Sequence, residues 1–298
     1  MQKKMILQKY RNGNADVTIT KDGTRTIEFE GTLKLNFPLN IDIRVSTACS
    51  FGLNPSTGKA FCSFCHESAT TDGKECDYNE LKEKLQGLPK GVELAIGGNK
   101  ITSELIEFCM WASSNGYVVN LTVNQGHILK YQHQLDELIN GGHIKGLGIS
   151  YRSELEDNVP ERFKRYEHTV LHVIAGIDKF EDVFNNVSYK KILVLGEKDF
   201  GFNAGKVDLK CISHKEWYWW IHKMFDRFEV VSFDNLALQQ LNIRRFFTPD
   251  NWEVFNQGEH SFYIDAVNKI FAPSSRSHRK ESWDAYTVES YFKKLEKN

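Results

Sequence analysis

Three cysteines of the chain have a spacing that is typical of metal ligands. Cys49, Cys62 and Cys65 form the pattern C-x12-C-x2-C. They lie in a loop rich in glycine, serine and proline, directly after residues 39–45, an alternating, β-branched run that predicts a strand. A strand that leads three thiols into one loop indicates a metal site, and the remaining ligands decide which metal it is.

Three kinds of site are compatible with these cysteines. A structural zinc ion takes four protein ligands, so His66 or Cys76 would have to complete it. A c-type haem matches the run Cys62-Ser-Phe-Cys65-His66, which has the form C-x-x-C-H, but the first residues lack the continuous apolar segment of a signal peptide. The third is a 4Fe-4S cluster held by three cysteines, which leaves one iron open to a substrate or cofactor.

The composition describes a globular chain with material for a core and no strong overall charge. Of its 298 residues, 41% are hydrophobic and 26% are charged, and the formal net charge is −1. No stretch approaches the roughly 18 apolar residues of a membrane span. The net charge gives no electrostatic support for a nucleic-acid partner, although a local basic patch would not show in the total. Six cysteines without regular spacing favour a reducing cytoplasm, where thiols bind metals.

Strand and helix patterns alternate along the middle of the chain. Predicted strands follow at residues 92–96, 117–123, 145–151, 169–175 and 191–195, with predicted helices between them. This order predicts parallel strands joined by right-handed crossovers. With the strand at 39–45 there are six units, which fit an α/β fold built on an incomplete (β/α)6 TIM-like barrel. A full eight-fold barrel or a doubly wound open sheet would give the same local pattern.

The two ends of the chain differ from this core. Residues 16–31 alternate on both sides of Asp22-Gly23, which predicts a β-hairpin with a two-residue turn. Beyond Gly205 we expect a tryptophan-rich helix at 214–228, a strand at 230–233, a helix at 234–241 and a cap. The predicted organisation is a hairpin extension at 1–37, a barrel core at 38–205 and a C-terminal extension and cap at 206–298.

Residues that end the predicted strands are the candidates for ligand binding, because ligands of parallel barrels sit at the carboxyl ends of the strands. Glycines there let backbone carbonyl oxygens approach an ammonium group closely. A serine or an arginine could bind a carboxylate, arginine through its paired N–H donors. These residues are Gly97, Gly98, Asn99, Asn124, Ser150 and Arg152.

The cysteine motif and the glycine-terminated strands together resemble the radical S-adenosylmethionine (radical SAM) superfamily. The resemblance rests on the C-x-aromatic-C end formed by Cys62, Phe64 and Cys65, followed by Gly97-Gly98 in the expected order. The commonest family spacing is C-x3-C-x2-C, so the first interval here is a departure. The resemblance covers roughly residues 39–205, and it implies the same (β/α)6 core.

The resemblance implies two cofactors, a 4Fe-4S cluster on Cys49, Cys62 and Cys65 and an S-adenosylmethionine that chelates its open iron. The family binds the amino group of S-adenosylmethionine at a Gly-Gly-Glu-like motif, which corresponds here to Gly97-Gly98 with Asn99 in the acidic position. The resemblance further implies that Ser150 or Arg152 binds the carboxylate and that the backbone near Phe64 binds the adenine. Asn124, which follows the third predicted strand, is a further cofactor-binding candidate.

The resemblance also implies an oxygen-sensitive enzyme. A one-electron donor such as flavodoxin or ferredoxin would reduce the cluster, and the resulting 5′-deoxyadenosyl radical would abstract hydrogen from a substrate. We expect a small molecule, a nucleotide or a modified base. Candidate pocket residues are Lys198, Asp199, Asp234, Asn235, Tyr263, Asp265, Ser274, Ser275 and Ser277. The alternative is a non-enzymatic zinc-binding protein in which His66 or Cys76 joins the three cysteines.

Overall fold

The computed structural model describes residues 5–21, 25–155, 158–186, 188–246, 248 and 260–295. The first strands form a small antiparallel sheet of β1 (Ile6–Asn12), β2 (Ala15–Thr20) and β3 (Arg25–Phe29). The pairing of β2 with β3 confirms the predicted hairpin strands. The predicted turn at Asp22-Gly23 lies outside the described residues, and β1 has no counterpart in the sequence-based expectations.

A large mixed sheet contains the strands of the central and C-terminal parts of the chain. Strand β5 (Ala48–Leu53) stands outside both sheets and makes only isolated bridges. The members of the large sheet are β4 (Asn40–Arg44), β6 (Glu93–Gly98), β7 (Val118–Asn124), β8 (Gly146–Ser150), β9 (Thr169–Ile174), β10 (Lys191–Leu195), β11 (Val230–Phe233), β12 (Ser261–Asp265), β13 (Ile270–Ala272) and β14 (Glu281–Ser282).

The order of the strands shows that the predicted (β/α)6 barrel is wrong. The sheet has ten strands where six were predicted, in the order β11-β10-β9-β8-β7-β6-β4-β12-β13-β14, and it is mixed rather than all parallel. Strand β12 runs parallel to β4 and occupies the edge that β4 would otherwise leave free, and β13 and β14 extend that side in antiparallel fashion. The fold is therefore α/β with a ten-stranded mixed sheet. Pairing between residues so far apart in sequence leaves no trace in local periodicity.

The parallel part of the sheet places the ends of eight strands at one edge. Strands β4 and β6 to β11 all pair in parallel with their neighbours, and β12 is parallel to β4. Their carboxyl ends therefore face the same side of the molecule, which we call the carboxyl edge. Local sequence predicted these strands because a strand–helix repeat favours parallel pairing.

The helices follow the predicted alternation and pack on one face of the large sheet. The position of Asp77 directly before a helical pattern predicts a cap for the first helix, and its Oδ1 accepts from the Asn79 N–H at 2.8 Å. The expected tryptophan-rich helix at 214–228 is divided in two at Ile221. The helices are α1 (Tyr78–Leu85), α2 (Ser103–Ser114), α3 (Gln132–Asn140), α4 (Glu161–Lys164), α5 (Phe180–Asn186), α6 (Ile212–Trp220), α7 (His222–Arg227), α8 (Asn235–Gln240) and α9 (Val288–Leu295).

The opposite face of the large sheet, which we call the open face, borders a cavity. Successive residues of a strand point to opposite faces of the sheet. Leu94 and Leu121 are buried in the core with α2, whereas Asn120, Thr122 and His172 line the cavity on the other face. The cavity encloses roughly 1400 Å³, part of it open to solvent, and Leu7 and Ile19 of the small sheet also line it. The small sheet therefore borders this cavity, and an Arg25–Glu93 ion pair joins it to β6.

Among the described residues, no helix is long and apolar enough to cross a membrane.

Candidate functional site

The cysteine loop lies at the carboxyl edge, between β4 and α1, and we call residues 46–76 the cluster loop. Its path requires glycine at two close approaches of the backbone. A Cβ on Gly52 would lie 2.3 Å from the Ala69 carbonyl oxygen, and one on Gly73 would lie 2.2 Å from the Thr47 carbonyl oxygen. The loop therefore folds back tightly on itself, which brings cysteines that are far apart in sequence to one side.

Cys49, Cys62 and Cys65 lie within electrostatic reach of one another. Burial raises the pKa of Cys49; the N–H groups of Phe51 and Gly52 donate to its sulfur and oppose this shift, and the thiols of Cys62 and Cys65 add to it. The Cys62 N–H donates to the Phe51 carbonyl at 3.2 Å, and the Cys65 N–H donates to the Cys62 carbonyl at 3.1 Å. The structure therefore brings together the three cysteines that the sequence selected.

Arg152, which follows β8, makes direct contact with this group. Burial raises the pKa of Cys62, and the charge and hydrogen bond of Arg152 oppose that rise. The Arg152 guanidinium carbon lies 4.6 Å from the centre of the Phe64 ring, a cation–π contact. Arg152 is thus next to the motif, where its positive charge favours a thiolate at Cys62.

A buried acid stands behind Arg152. Asp178 Oδ2 lies 3.8 Å from Arg152 Nη1, and Oδ2 also accepts from the Ile174 N–H at 2.7 Å. Burial raises the pKa of Asp178 to about 7, against the opposing charge of Arg152. The position of Asp178 before a short helical pattern predicts a helix cap, but its carboxylate faces Ile174 and Arg152 instead.

Two of the three thiols accept hydrogen bonds. Their donors are backbone N–H groups at Cys49 and Arg152 at Cys62, which is the kind of contact that tunes iron–sulfur clusters. In the described parts of the chain no group of three or more His, Cys, Asp or Glu side chains is arranged to hold a single metal ion. The hydrogen-bonded thiols are chemically compatible with the thiolate ligands of a 4Fe-4S cluster.

The two residues that could complete a zinc site make other contacts. His66 Nε2 lies 2.9 Å from Glu67 Oε1 and 3.1 Å from Lys198 Nζ. Cys76 is buried beside Glu75, and burial raises the pKa of its thiol to about 12. Among the described residues, neither side chain forms a hydrogen bond or ion pair with the thiols of Cys49, Cys62 or Cys65.

The two predicted glycines at the end of β6 have different surroundings. Gly97 and Gly98 lie inside β6 rather than after it, and they pair with Thr122 and Val123. A Cβ on Gly97 would meet nothing within 4 Å, whereas one on Gly98 would lie 3.1 Å from the Leu121 side chain. Gly97 therefore borders open space, and Gly98 packs against β7.

The other predicted strand-end residues are Asn99, Asn124 and Ser150. Asn99 is the first residue after β6 and is half-buried. Asn124 pairs with Ser150 at the carboxyl ends of β7 and β8. The Oδ1 of Asn124 accepts from the Gly126 N–H at 3.0 Å, so this side chain also shapes the turn that follows.

That turn supports the cluster loop from a second side. His127 Nε2 lies 2.7 Å from Ser50 Oγ, and its ring stacks on Phe51 with centroids 4.5 Å apart. Burial lowers the pKa of His127 to about 4, so the ring is neutral near pH 7. His127 is absent from the residues selected by sequence; its place in the turn that follows β7 was the available signal.

A network of charges that the sequence analysis did not foresee lies on the other side of the loop. Arg44 Nη1 is 3.0 Å from Asp265 Oδ2, and Arg44 Nε is 2.7 Å from Glu67 Oε2. Burial acts to raise the pKa of Glu67, but the hydrogen bond of His66 and the charge of Arg44 lower it to about 2. Glu67 is therefore ionised and ties the cluster loop to β4 and β12.

His66 can serve only one of its two neighbours at a time. With a proton on Nε2 it donates to Glu67, and without one it accepts from Lys198. Burial and the Lys198 ammonium lower the pKa of His66. Asp42 lies near the same network. Its side chain is exposed to water on one side, and desolvation by the surrounding protein raises its pKa to about 6.

The predicted substrate-pocket residues separate into two groups. Asp234 caps α8 and also accepts from the Gly196 N–H at 2.9 Å, so it holds structure together, and Asn235 begins that helix. Tyr263 is buried beside β4, and burial raises its pKa. Residues near the charge network or the neighbouring cleft are Lys198, Asp199, Asp265, Ser275 and Ser277.

A small apolar cavity lies beside the last cysteine. Its volume is about 40 Å³. Phe64 and His66 of the cluster loop line it together with Ile174 and Leu195, the last residues of β9 and β10, and with Ile177. The sequence analysis placed a cofactor near Phe64 but missed the three aliphatic residues, because it examined only polar residues and glycines at strand ends.

The segment after β10 is fixed to the cluster loop at Gly201. The φ angle of Gly201 is +64°, a Cβ there would lie 2.3 Å from the His66 carbonyl oxygen, and the Phe202 N–H donates to the Cys65 carbonyl at 3.0 Å. Gly205 has a similar φ of +70° but nothing within 4 Å of such a Cβ. The two glycines therefore share a backbone requirement and differ in steric contact.

We expect Gly201→Ala to destabilise the fold more than Gly205→Ala. Each alanine pays the left-handed backbone cost of about 1–2 kcal/mol, and Gly201→Ala adds an overpacking cost of about 1–3 kcal/mol. The free energies of unfolding from urea titrations, with iron content after reconstitution, measure the difference. Equal losses in the two variants would contradict a close contact between Gly201 and the cluster loop.

Comparison with known proteins adds no family assignment. No protein-family model matches the sequence, and no curated protein matches it significantly.

Proposed function

We propose that this protein is a radical SAM enzyme that binds a 4Fe-4S cluster through Cys49, Cys62 and Cys65. The observation that carries the proposal is the proximity of these thiols in one loop at the carboxyl edge of the parallel strands, with hydrogen-bond donors on two of the sulfurs. When bound, such a cluster supplies the electron that cleaves S-adenosylmethionine to methionine and a 5′-deoxyadenosyl radical, which takes hydrogen from the substrate.

The residues around the loop support a place for S-adenosylmethionine. Phe64, Ile174 and Leu195 form an apolar wall on which a flat, weakly polar adenine ring would pack. The open space at Gly97 allows the backbone of β6 to approach a ligand closely. Ser150 is the last residue of β8, at the same carboxyl edge, and its hydroxyl can donate to a carboxylate.

The role of Arg152 in this proposal differs from the one that its sequence position suggests. Its guanidinium is committed to Cys62, Phe64 and Asp178, and its Nε has no partner among the described residues. We assign it to positioning the cluster loop and to favouring the thiolate of Cys62. Carboxylate binding falls to Ser150 and to backbone groups.

The remaining parts of the proposal come from the chemistry of the class. The cluster needs a one-electron donor, for which reduced flavodoxin or ferredoxin is suitable, and it needs protection from oxygen. We place the enzyme in the cytoplasm, where thiols stay reduced. The substrate is a small molecule, a nucleotide or a modified base.

Anaerobic reconstitution tests the proposal. The protein is incubated with iron and sulfide, reduced with dithionite and mixed with S-adenosylmethionine, and 5′-deoxyadenosine is measured by chromatography together with iron and zinc content. We expect bound iron and 5′-deoxyadenosine even without substrate. A protein that binds one zinc ion, takes up no iron and forms no product would establish the zinc-binding alternative and end the proposal.

A further inference from the structure

The loop between β13 and β14 concentrates positive charge and hydroxyl groups. Residues 273–280, which we call the basic loop, read Pro-Ser-Ser-Arg-Ser-His-Arg-Lys. The net charge of the whole chain is −1, so this concentration is local. Serine hydroxyls and arginine N–H groups are donors that suit a phosphate, arginine through paired hydrogen bonds.

Two cations of the basic loop are not neutralised by the protein. Within the described part of the chain, Arg276 and Lys280 make no ion pair and no side-chain hydrogen bond, and the buried Ser274 Oγ has no hydrogen-bond partner. Arg279 differs, because its charge acts on Glu281. Cations grouped without counter-charges attract an anionic ligand.

Arg276 and Lys280 line a cleft of ligand size. The cleft has a volume of about 400 Å³, and Ser275, Ser277 and His278 line the same wall. Pockets for small molecules have volumes of about 300–1,000 Å³. The opposite wall comes from the segment after β10 and from α8.

The two acids of the opposite wall are already engaged. Glu197 Oε1 accepts from Asn203 Nδ2 at 3.0 Å, and Asp199 Oδ1 accepts from the Gly205 N–H at 2.6 Å. Both donors are neutral, so the carboxylates keep their charge, but these hydrogen bonds hold them on the opposite wall. In the described part of the chain neither forms an ion pair with Arg276 or Lys280. An anion in the cleft would meet donors on the basic loop.

Lys198 connects this cleft to the cluster loop. Its Nζ donates to Ser275 Oγ at 3.2 Å and lies 3.1 Å from His66 Nε2. His66 directly follows Cys65, so a molecule anchored at the basic loop lies next to the cysteine group. A further cation at this junction adds to the attraction for an anion.

We propose that the cleft binds the phosphate monoester of a small phosphorylated substrate, with Arg276, Lys280 and the hydroxyls of Ser275 and Ser277 as its donors. The inference rests on the proposed function, because it places the substrate's anchored end beside the cluster loop. A nucleic-acid backbone is less suited, since it is bound by extended rows of cations, and this cleft has a closed wall of α8 and the segment after β10.

Titration calorimetry on the anaerobically reconstituted protein tests this proposal with inorganic phosphate as the probe. The double variant Arg276→Gln/Lys280→Gln should weaken phosphate binding about tenfold or more, as expected when charge-assisted hydrogen bonds are lost. The matched control is Arg279→Gln, which removes the same charge from the same loop but not from the cleft wall. It should bind phosphate within about twofold of the unaltered protein, because surface charges act weakly through water.

The alternative outcomes are separable. Absence of saturable phosphate binding, or an equal loss in the double variant and the control, would overturn the proposal. So would tight binding of a single-stranded oligodeoxynucleotide with a 5′-hydroxyl in place of phosphate, because that identifies a backbone ligand. The formation of 5′-deoxyadenosine is measured on the same samples: if it persists while phosphate fails to bind, only the phosphate site is lost, and if it is absent while phosphate binds, the proposed function fails instead.

Discussion

Replacing Cys62 with alanine is expected to abolish cluster binding. The iron content after anaerobic reconstitution should fall from roughly four atoms per chain to near zero, and the absorbance at about 400 nm from thiolate-bound iron should disappear. The reason is geometric, since Cys62 lies within electrostatic reach of Cys49 and Cys65 and accepts the hydrogen bond of Arg152. Formation of 5′-deoxyadenosine should be lost with the iron.

The chain offers a matched cysteine control. Cys211 begins α6, where its sulfur accepts from the His214 N–H at 3.4 Å, and serine at this position keeps a capping acceptor. Cys211→Ser should therefore retain iron and activity. Cys76→Ser separates the metals, because it spares a three-cysteine cluster but removes a ligand from the alternative zinc site. Full iron loading in a triple variant that lacks Cys49, Cys62 and Cys65 would refute the cluster assignment.

Arg152→Met is expected to damage both stability and activity. Arg152 and Asp178 have side chains that are only 9% and 1% exposed, and removing one partner of a buried ion pair costs about 3–5 kcal/mol. The loss should increase as the pH rises above 7. Burial raises the pKa of Asp178 to about 7, and the charge of Arg152 opposes that rise. Without Arg152 the pKa of Asp178 in the folded protein should rise further. Above pH 7 the variant therefore continues to lose stability relative to the unaltered protein, because its unfolded state releases the proton more easily.

A double variant separates the structural role of Arg152 from its role at the cysteines. Arg152→Met/Asp178→Asn removes the uncompensated acid, and asparagine keeps an oxygen that accepts from the Ile174 N–H. The free energy of unfolding should recover most of its loss, while 5′-deoxyadenosine formation should stay low because the contacts with Cys62 and Phe64 are absent. Recovery of both properties would show that Arg152 acts only through stability, and recovery of neither would exclude Asp178 as its relevant partner.

Local signals in the sequence were enough for much of the secondary structure. The strands that became β6 to β11 have short apolar runs that end in glycine or polar residues, and Asp77 caps α1 as its position before a helical pattern predicts. The hairpin strands β2 and β3 followed from strict alternation. These features depend on residues within a few positions of one another, which is the range over which periodicity carries information.

The sheet itself needed information that is absent from local patterns. A strand–helix repeat gives parallel neighbours in a closed barrel and in an open sheet alike, so the repeat could not exclude the barrel. The difference lies in β12, which pairs with β4 although about 220 residues separate them in sequence. Only the tertiary structure shows that this strand occupies the edge of β4.

The candidate site divides in the same way. The amino-acid sequence by itself determined the three cysteines and their spacing, and hence the kinds of metal site they can form, because ligand chemistry is a property of residue type. Only the tertiary structure decided that Arg152 donates to Cys62, that Arg44 joins Glu67 to Asp265, and that the basic loop faces a cleft next to His66. These contacts join segments far apart in the chain, and such segments meet only after the sheet and its loops have packed.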